Sequence, residues 1–158
     1  MILPQDPVLF DVDDLDKKIL QQLLSDSRKS YQEVARELNV SGGTVHVRMN
    51  KLKEAGVVKG SKLVIDMPKL GLGIVAFVGI NLLTAKDYTA AVEQLNKLPE
   101  VIEVFYTTGK YNLFAKVVTK GMRELHYFLI EKLQPIAEIQ STETLVALDA
   151  PIEREVRL

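Results

Sequence analysis

Apolar positions recur with a helical period through the first sixty residues and with a strand period afterwards. Leu15, Ile19 and Leu23, with Leu20 and Leu24, line one helix face, and Asp13 or Asp14 stands ready to cap it. Ser25-Asp26-Ser27 ends that helix. Ser30 and Glu33 form a capping-box pair ahead of a Tyr31, Val34, Ala35, Leu38 stripe. Asn39-Val40 reads as a tight turn, Ser41 as the next cap, and Val45, Met49 and Leu52 as the inward side of a third helix that Gly56 stops. Three short helices with a brief turn between the last two predict a helix-turn-helix over 13–56, after an N-terminal tail of residues 1–12.

From Val57 the pattern changes. Val57-Val58 and Leu63-Val64-Ile65 predict a short hairpin or extended hinge within a linker spanning 57–71. The segment 72–148 reads as strand Ile74–Leu83, helix Asp87–Leu98, strand Val101–Thr108, strand Asn112–Thr119, helix Gly121–Leu133 and strand Ile139–Leu148. The inward helix faces are Tyr88, Ala91, Val92, Leu95 and Leu98, then Met122, Leu125, Leu129 and Leu133. The order βαββαβ predicts a ferredoxin-like sandwich, so the class is α+β, with a helix-turn-helix of winged-helix type in front. Both helices of such a sandwich cover one sheet face. The other is expected to expose Val75, Phe77, Phe114, Val118 and Val146, a set apolar enough to predict homodimerisation sheet to sheet. In the tail 149–158, Ile152–Leu158 alternates apolar and charged residues, which suits either an edge strand on a neighbour or a solvated end.

Charge sharpens the picture. The 158 residues carry a formal net charge of −1, yet 41–62 hold Arg48, Lys51, Lys53, Lys59 and Lys62 against Glu54 alone. A basic island in a near-neutral chain points to a localised anionic partner. On a helical wheel His46, Val47 and Lys51 lie away from the core direction. Gly42 and Gly43 strip the first turn of side chains, which would let its backbone approach phosphate or base edges. Ser41, Gly42, Gly43, Thr44, His46, Val47, Arg48 and Lys51 are therefore the candidate DNA-binding residues. Arg48 sits closer to the core direction, so it is either a DNA contact or an internal ion-pair partner of Asp16 or Glu33. Duplex DNA is favoured over RNA, whose major groove is too narrow for a helix.

Composition excludes several chemistries. With no cysteine there is no disulfide, thiolate metal site or thiol nucleophile. His46 and His126 fall in different segments, and no nucleophile–base set or phosphate loop is present, so no catalytic or metal site is expected. The acidic group Asp11, Asp13, Asp14 and Asp16 reads as helix capping. The N-terminal stretch, acidic and broken by Pro4 and Pro7, is unlike a secretory signal, and Ile74–Leu83 is about half the length of a membrane span. A cytoplasmic protein is expected.

Two features together resemble one family. Ser41-x-x-Thr44-Val45-x-x-Arg48-x-x-x-Leu52-x-x-x-Gly56-Val57-Val58, with Leu15-Asp16-x-x-Ile19-Leu20 before it and Leu70-Gly71 after, resembles the leucine-responsive and asparagine-synthetase regulators, the Lrp/AsnC or feast/famine family. The resemblance implies a transcription regulator that dimerises through its sheet domains and stacks dimers into octamers. It also implies an amino acid or similar metabolite as effector, with no other cofactor. The family's effector turn carries Gly-x-x-Asp; here Gly109-Lys110-Tyr111-Asn112 follows Thr107-Thr108, so Thr107, Thr108, Gly109, Tyr111 and Asn112 are the candidate effector residues. Asn112 stands where aspartate could pair with an ammonium. That departure leaves open a different effector or a constitutive DNA-binding protein with none.

Overall fold

The computed structural model describes residues 10–154 and 156–158, so the first nine residues of the N-terminal tail, and Glu155 in the C-terminal alternation, lie outside the described residues. Two compact units divide the chain, Met1–Leu63 with Ile152–Leu158, and Val64–Pro151.

In the first unit Asp13, rather than Asp14, caps α1 (Asp14–Ser25). Its carboxylate accepts from Asp16 N–H at 2.8 Å, and Asp16 reaches back to the Asp13 amide. Ser30 and Glu33 make the same reciprocal pair at α2 (Tyr31–Glu37), and Ser41 Oγ accepts from Thr44 N–H at 3.0 Å to start α3 (Gly42–Glu54). Left-handed residues close the later helices: Asn39 at φ 54° and Gly56 at φ 71°. Ile19, Val34, Ala35, Val45, Met49 and Leu52 form the core, ringed by Leu15, Leu20, Leu23, Leu38 and Val58 among others. Each fully buried Ile or Leu contributes about 2 kcal/mol relative to exposure. The tail end touches this unit through Leu158 N–H, which donates to Gln21 Oε1 at 3.0 Å.

No strand or hairpin forms over 57–65. The reason is local: the Val57 and Val58 amides are both taken by the Leu52 carbonyl, at 2.9 and 3.1 Å, and so finish α3 instead of entering a ladder. Leu63 and Val64 stay exposed, and a short 3-10 turn, Pro68–Leu70, follows.

The second unit contains β1 (Ile74–Leu82), α4 (Tyr88–Leu95), β2 (Val101–Tyr106), β3 (Leu113–Thr119), α5 (Met122–Tyr127) and β4 (Ile139–Val146). The strands are antiparallel in the order β2-β3-β1-β4. Ala76, Val78, Ile80 and Leu82 of β1 and Leu113, Ala115 and Val117 of β3 share a core with Ala91, Leu95, Leu125, Phe128 and Leu133 of the helices. Past α5 the backbone widens into a π-type stretch, Phe128–Leu133, with Gln134 N–H bonding the Leu129 carbonyl. That extra residue per turn buries Phe128 and Leu133, while Met122, expected inward, is 58% exposed.

The sheet's other face carries Val75, Phe77 and Phe114 as expected, and also Val118, which is buried at 6% rather than exposed, but not Val146. Val146 pairs with Ala76 and packs into the helix-covered core, and its neighbour Leu145, opposite Phe77 and 51% exposed, occupies the bare face instead. The alternation of a strand makes that a one-residue error with a full change of side. Phe105, 54% exposed, extends the patch across from Phe114, which lies 5.9 Å from Phe77 in a stacked arrangement.

Candidate DNA interface and ligand turn

Helix α3 presents two sides with different contents. Val45, Met49 and Leu52 are buried; His46, Val47, Asn50 and Lys51 are exposed, Val47 at 67%. The His46 ring stands edge-on to Tyr31 at 5.9 Å, with Asn50 Nδ2 3.3 Å from its Nδ1, which orients the imidazole outward. Lys51 Nζ lies 5.1 Å from the Phe10 ring and remains exposed. Ser41 Oγ and Thr44 Oγ1 are 2.8 Å apart at the helix start.

Arg48 is placed differently from the other candidates. Its Nη1 donates to Asp13 Oδ2 at 2.5 Å and to Asp16 Oδ1 at 2.8 Å, tying α3 to the start of α1. Asp16 is buried, so the guanidinium is committed to the scaffold rather than to an external anion. Glu33, the other partner weighed, is engaged with Ser30. The Arg48 hydrogen bond, then the Asp16 amide, hold the Asp13 carboxyl below the usual range, and Arg48 is raised in turn by Asp13 and Asp16. The two glycines also separate. A Cβ on Gly43 would meet only Ser41 Oγ, at 3.7 Å, whereas one on Gly42 would collide with the Gln32 side chain.

Between β2 and β3 the chain turns through residues 107–112. Gly109 sits at φ 104°, where a side chain would be strained. Thr107 Oγ1 donates to the Tyr111 carbonyl at 2.8 Å, and Thr107 N–H to the Asn112 carbonyl at 3.0 Å, while Thr108 is exposed. Asn112 Oδ1 accepts from Leu82 N–H at 2.9 Å, the amide that β1 presents just beyond its last pairing with β3. The Tyr111 ring lies over Gly79, where a Cβ would come within 2.7 Å of three ring carbons. Its hydroxyl donates to Glu143 Oε2 at 2.6 Å, and Lys110 pairs with the same oxygen. Lys110 foremost, then Tyr111, lower the Glu143 carboxyl, and Glu143 raises Lys110. Among the described residues no group of three or more His, Cys, Asp or Glu could hold a metal, and no helix is long and apolar enough to cross a membrane.

Comparison with known proteins covers both units. Residues 75–156 match the Lrp/AsnC ligand binding domain, and residues 12–59 match a winged helix-turn-helix DNA-binding model. The chain is 46% identical over 149 residues to the regulatory protein AsnC of Haemophilus influenzae, covering 94% of this chain and 99% of that one. It belongs to the Lrp/AsnC family. A solved structure of Escherichia coli AsnC superposes with a TM-score of 0.90 at 42% identity, over 94% of this chain and all of that one. A transcriptional regulator of Neisseria meningitidis in complex with L-Met has the same fold, with a TM-score of 0.86 at 24% identity over 94% and 96% of the two chains.

As a member of the Lrp/AsnC family the chain is a DNA-binding regulator of transcription and not an enzyme, in keeping with relatives that are named as regulators. Within the Lrp/AsnC ligand binding domain, sequence reasoning had missed Lys110, Gly79 and Glu143 as neighbours of Tyr111. A glycine inside β1 was the available signal, since such a position marks a close approach by another group. Gln32, which lies against the start of α3, gives no comparable sign.

Proposed function

We propose that the protein binds duplex DNA sequence-specifically as a dimer, with Ser41, Gly43, Thr44, His46, Val47 and Lys51 of α3 forming the contact in each copy's major groove. The observation that carries this reading is the outward, unshielded set His46, Val47 and Lys51 on a helix whose opposite side is buried. Arg48 stays out of the interface and ties α3 to the start of α1. The bare sheet face, with Phe77, Phe105, Phe114 and Leu145, is the surface that brings two copies together, and four such dimers stack into the octamer. The protein works in the cytoplasm, where the DNA is.

An amino acid or closely related metabolite is the effector, received at the 107–112 turn by Thr107, Thr108, Gly109, Tyr111 and Asn112. The match to a ligand binding domain and the L-Met complex of a protein of like fold support this reading. Because Asn112 Oδ1 already accepts from Leu82, its Nδ2, without a partner among the described residues, is the group left for a ligand. The turn therefore favours an effector offering an acceptor, a carboxylate or amide carbonyl, at that point. A duplex selected from random DNA, titrated by fluorescence anisotropy with and without each common amino acid, tests both parts. Binding that survives rising salt better than binding to a scrambled duplex is expected, and one amino acid should shift it. Equal affinity for both duplexes would refute sequence-specific binding, and no shift with any amino acid would refute the effector.

A further inference from the structure

The two glycines that open α3 have different neighbours. Gly43 faces open space but for Ser41 Oγ. A Cβ on Gly42 would stand 2.5 Å from Gln32 Nε2, 2.7 Å from Cδ and 2.8 Å from Oε1, so the flat amide of Gln32 rests directly on the bare α-carbon. No residue with a side chain fits there while Gln32 holds this position. Gly42 is helical, with no left-handed φ to require glycine, so the close approach is its only local reason for being glycine.

Gln32 itself is exposed, and its amide makes no hydrogen bond among the described residues. A polar side chain set against another helix, with its donors and acceptor unspent among the described residues, is placed to meet a partner outside the chain. Its place indicates which partner. Gln32 is on α2, the first helix of the helix-turn-helix, which crosses the DNA backbone while the second enters the groove. Glutamine side chains are among the usual donors to phosphate oxygens. The adjacent carboxylate of Glu33, which would repel phosphate, is turned back onto the Ser30 amide and hydroxyl at 2.7 Å each.

We propose that Gln32 is a phosphate-binding residue of the DNA interface, and that Gly42 serves that interface by seating the Gln32 amide rather than by bringing its own backbone to the DNA. The proposal rests on the DNA reading above and adds a contact from α2. Gly42 is a positioning residue, acting only through Gln32.

The test is a double-mutant cycle in the full chain, with Q32A, G42A and Q32A/G42A. Affinity is read by anisotropy on a duplex selected from a random pool and on a scrambled duplex, and folding by thermal melts. Q32A is expected to weaken both duplexes about tenfold or more, as loss of one hydrogen bond to a charged group does. The selected-to-scrambled ratio and the slope of affinity against salt should not change, because Gln32 is neutral and reads no base. G42A should match or exceed the wild-type melting temperature, since alanine is the better helix former and the displaced group is the far end of a flexible side chain. Yet G42A should weaken DNA binding as much as Q32A, and the double variant should be no weaker than Q32A alone. Wild-type affinity in Q32A overturns the proposal, as does a loss confined to the selected duplex. A further loss on adding G42A to Q32A overturns the role given to Gly42. A wild-type chain that binds neither duplex overturns the DNA reading itself, a separate outcome because every variant would then be silent.

Discussion

Removing the Arg48 guanidinium separates a scaffold role from a DNA role. In Arg48→Met the aliphatic stem is kept and both ion pairs are lost. The Asp16 pair matters more, because its carboxylate is buried and retains only the 3.3 Å contact from the Asp13 amide. A hydrogen bond to a charged group is worth about 1.5–3 kcal/mol, and the half-exposed Asp13 adds little, so a loss of about 2 kcal/mol is expected. In urea, with an m-value of about 1–2 kcal/mol per molar for a unit this small, the helical transition should move down by about 1–2 M. The difference should also depend on acid. Asp13 has a lowered folded-state pKa, so its contribution is present above the unfolded value of 3.8 and is lost as pH falls through the lower folded value. That small Asp13 share of the wild-type advantage should therefore be present from pH 7 down to the ordinary carboxylate range and fade below it. Well under the transition, R48M should bind the selected duplex within about threefold of wild type, as a residue touching no phosphate would. Unchanged urea stability together with a large loss of DNA affinity would show that Arg48 reaches DNA and that the pairing with Asp13 and Asp16 does not hold.

Three further outcomes follow from the second unit. Gly79→Ala should cost about 1–3 kcal/mol by pushing the Tyr111 ring off β1, read as a lower melting temperature; an unchanged melt would mean the ring does not lie there. Leu145→Glu with Phe105→Glu should give a monomer by light scattering, since both charges fall on the bare face, and an unchanged mass would place the dimer contact elsewhere. Asn112→Asp should keep the fold, because a carboxylate can accept from Leu82 N–H as well, but it removes the free donor. Calorimetry should then show weaker binding of the amino acid that the wild-type chain prefers, and equal or tighter binding would reverse the role assigned to Nδ2.

Where the sequence carries its own periodicity most inward positions are those expected, with Tyr88 and Met122 the exposed exceptions. Val45, Met49 and Leu52 turn inward, which leaves His46, Val47 and Lys51 outward. The βαββαβ order follows from alternation and helix stripes in the same way. What escaped were contacts between segments far apart in the chain. Arg48 at the edge of the core direction had two plausible fates, and only the position of α1 decides between them. Gln32, ten positions before Gly42, leaves no mark in the local pattern, so its approach to that glycine could not be read there. Val146 and Leu145 are both apolar, so alternation could not say which faced the core without the register against Phe77 and Ala76. Val57 and Val58 have strand-forming side chains, yet their amides were claimed first by the end of a helix.

The most direct test of the whole account is one anisotropy titration of the selected duplex with wild type and with the Val47→Glu, Lys51→Glu variant, alongside a thermal melt of each. Both side chains are exposed, so the melting temperatures should agree within about 2 °C. Two acidic groups facing phosphate and base edges should weaken binding by about 100-fold or more. A folded variant that binds like the wild type would contradict the claim that this side of α3 meets the DNA.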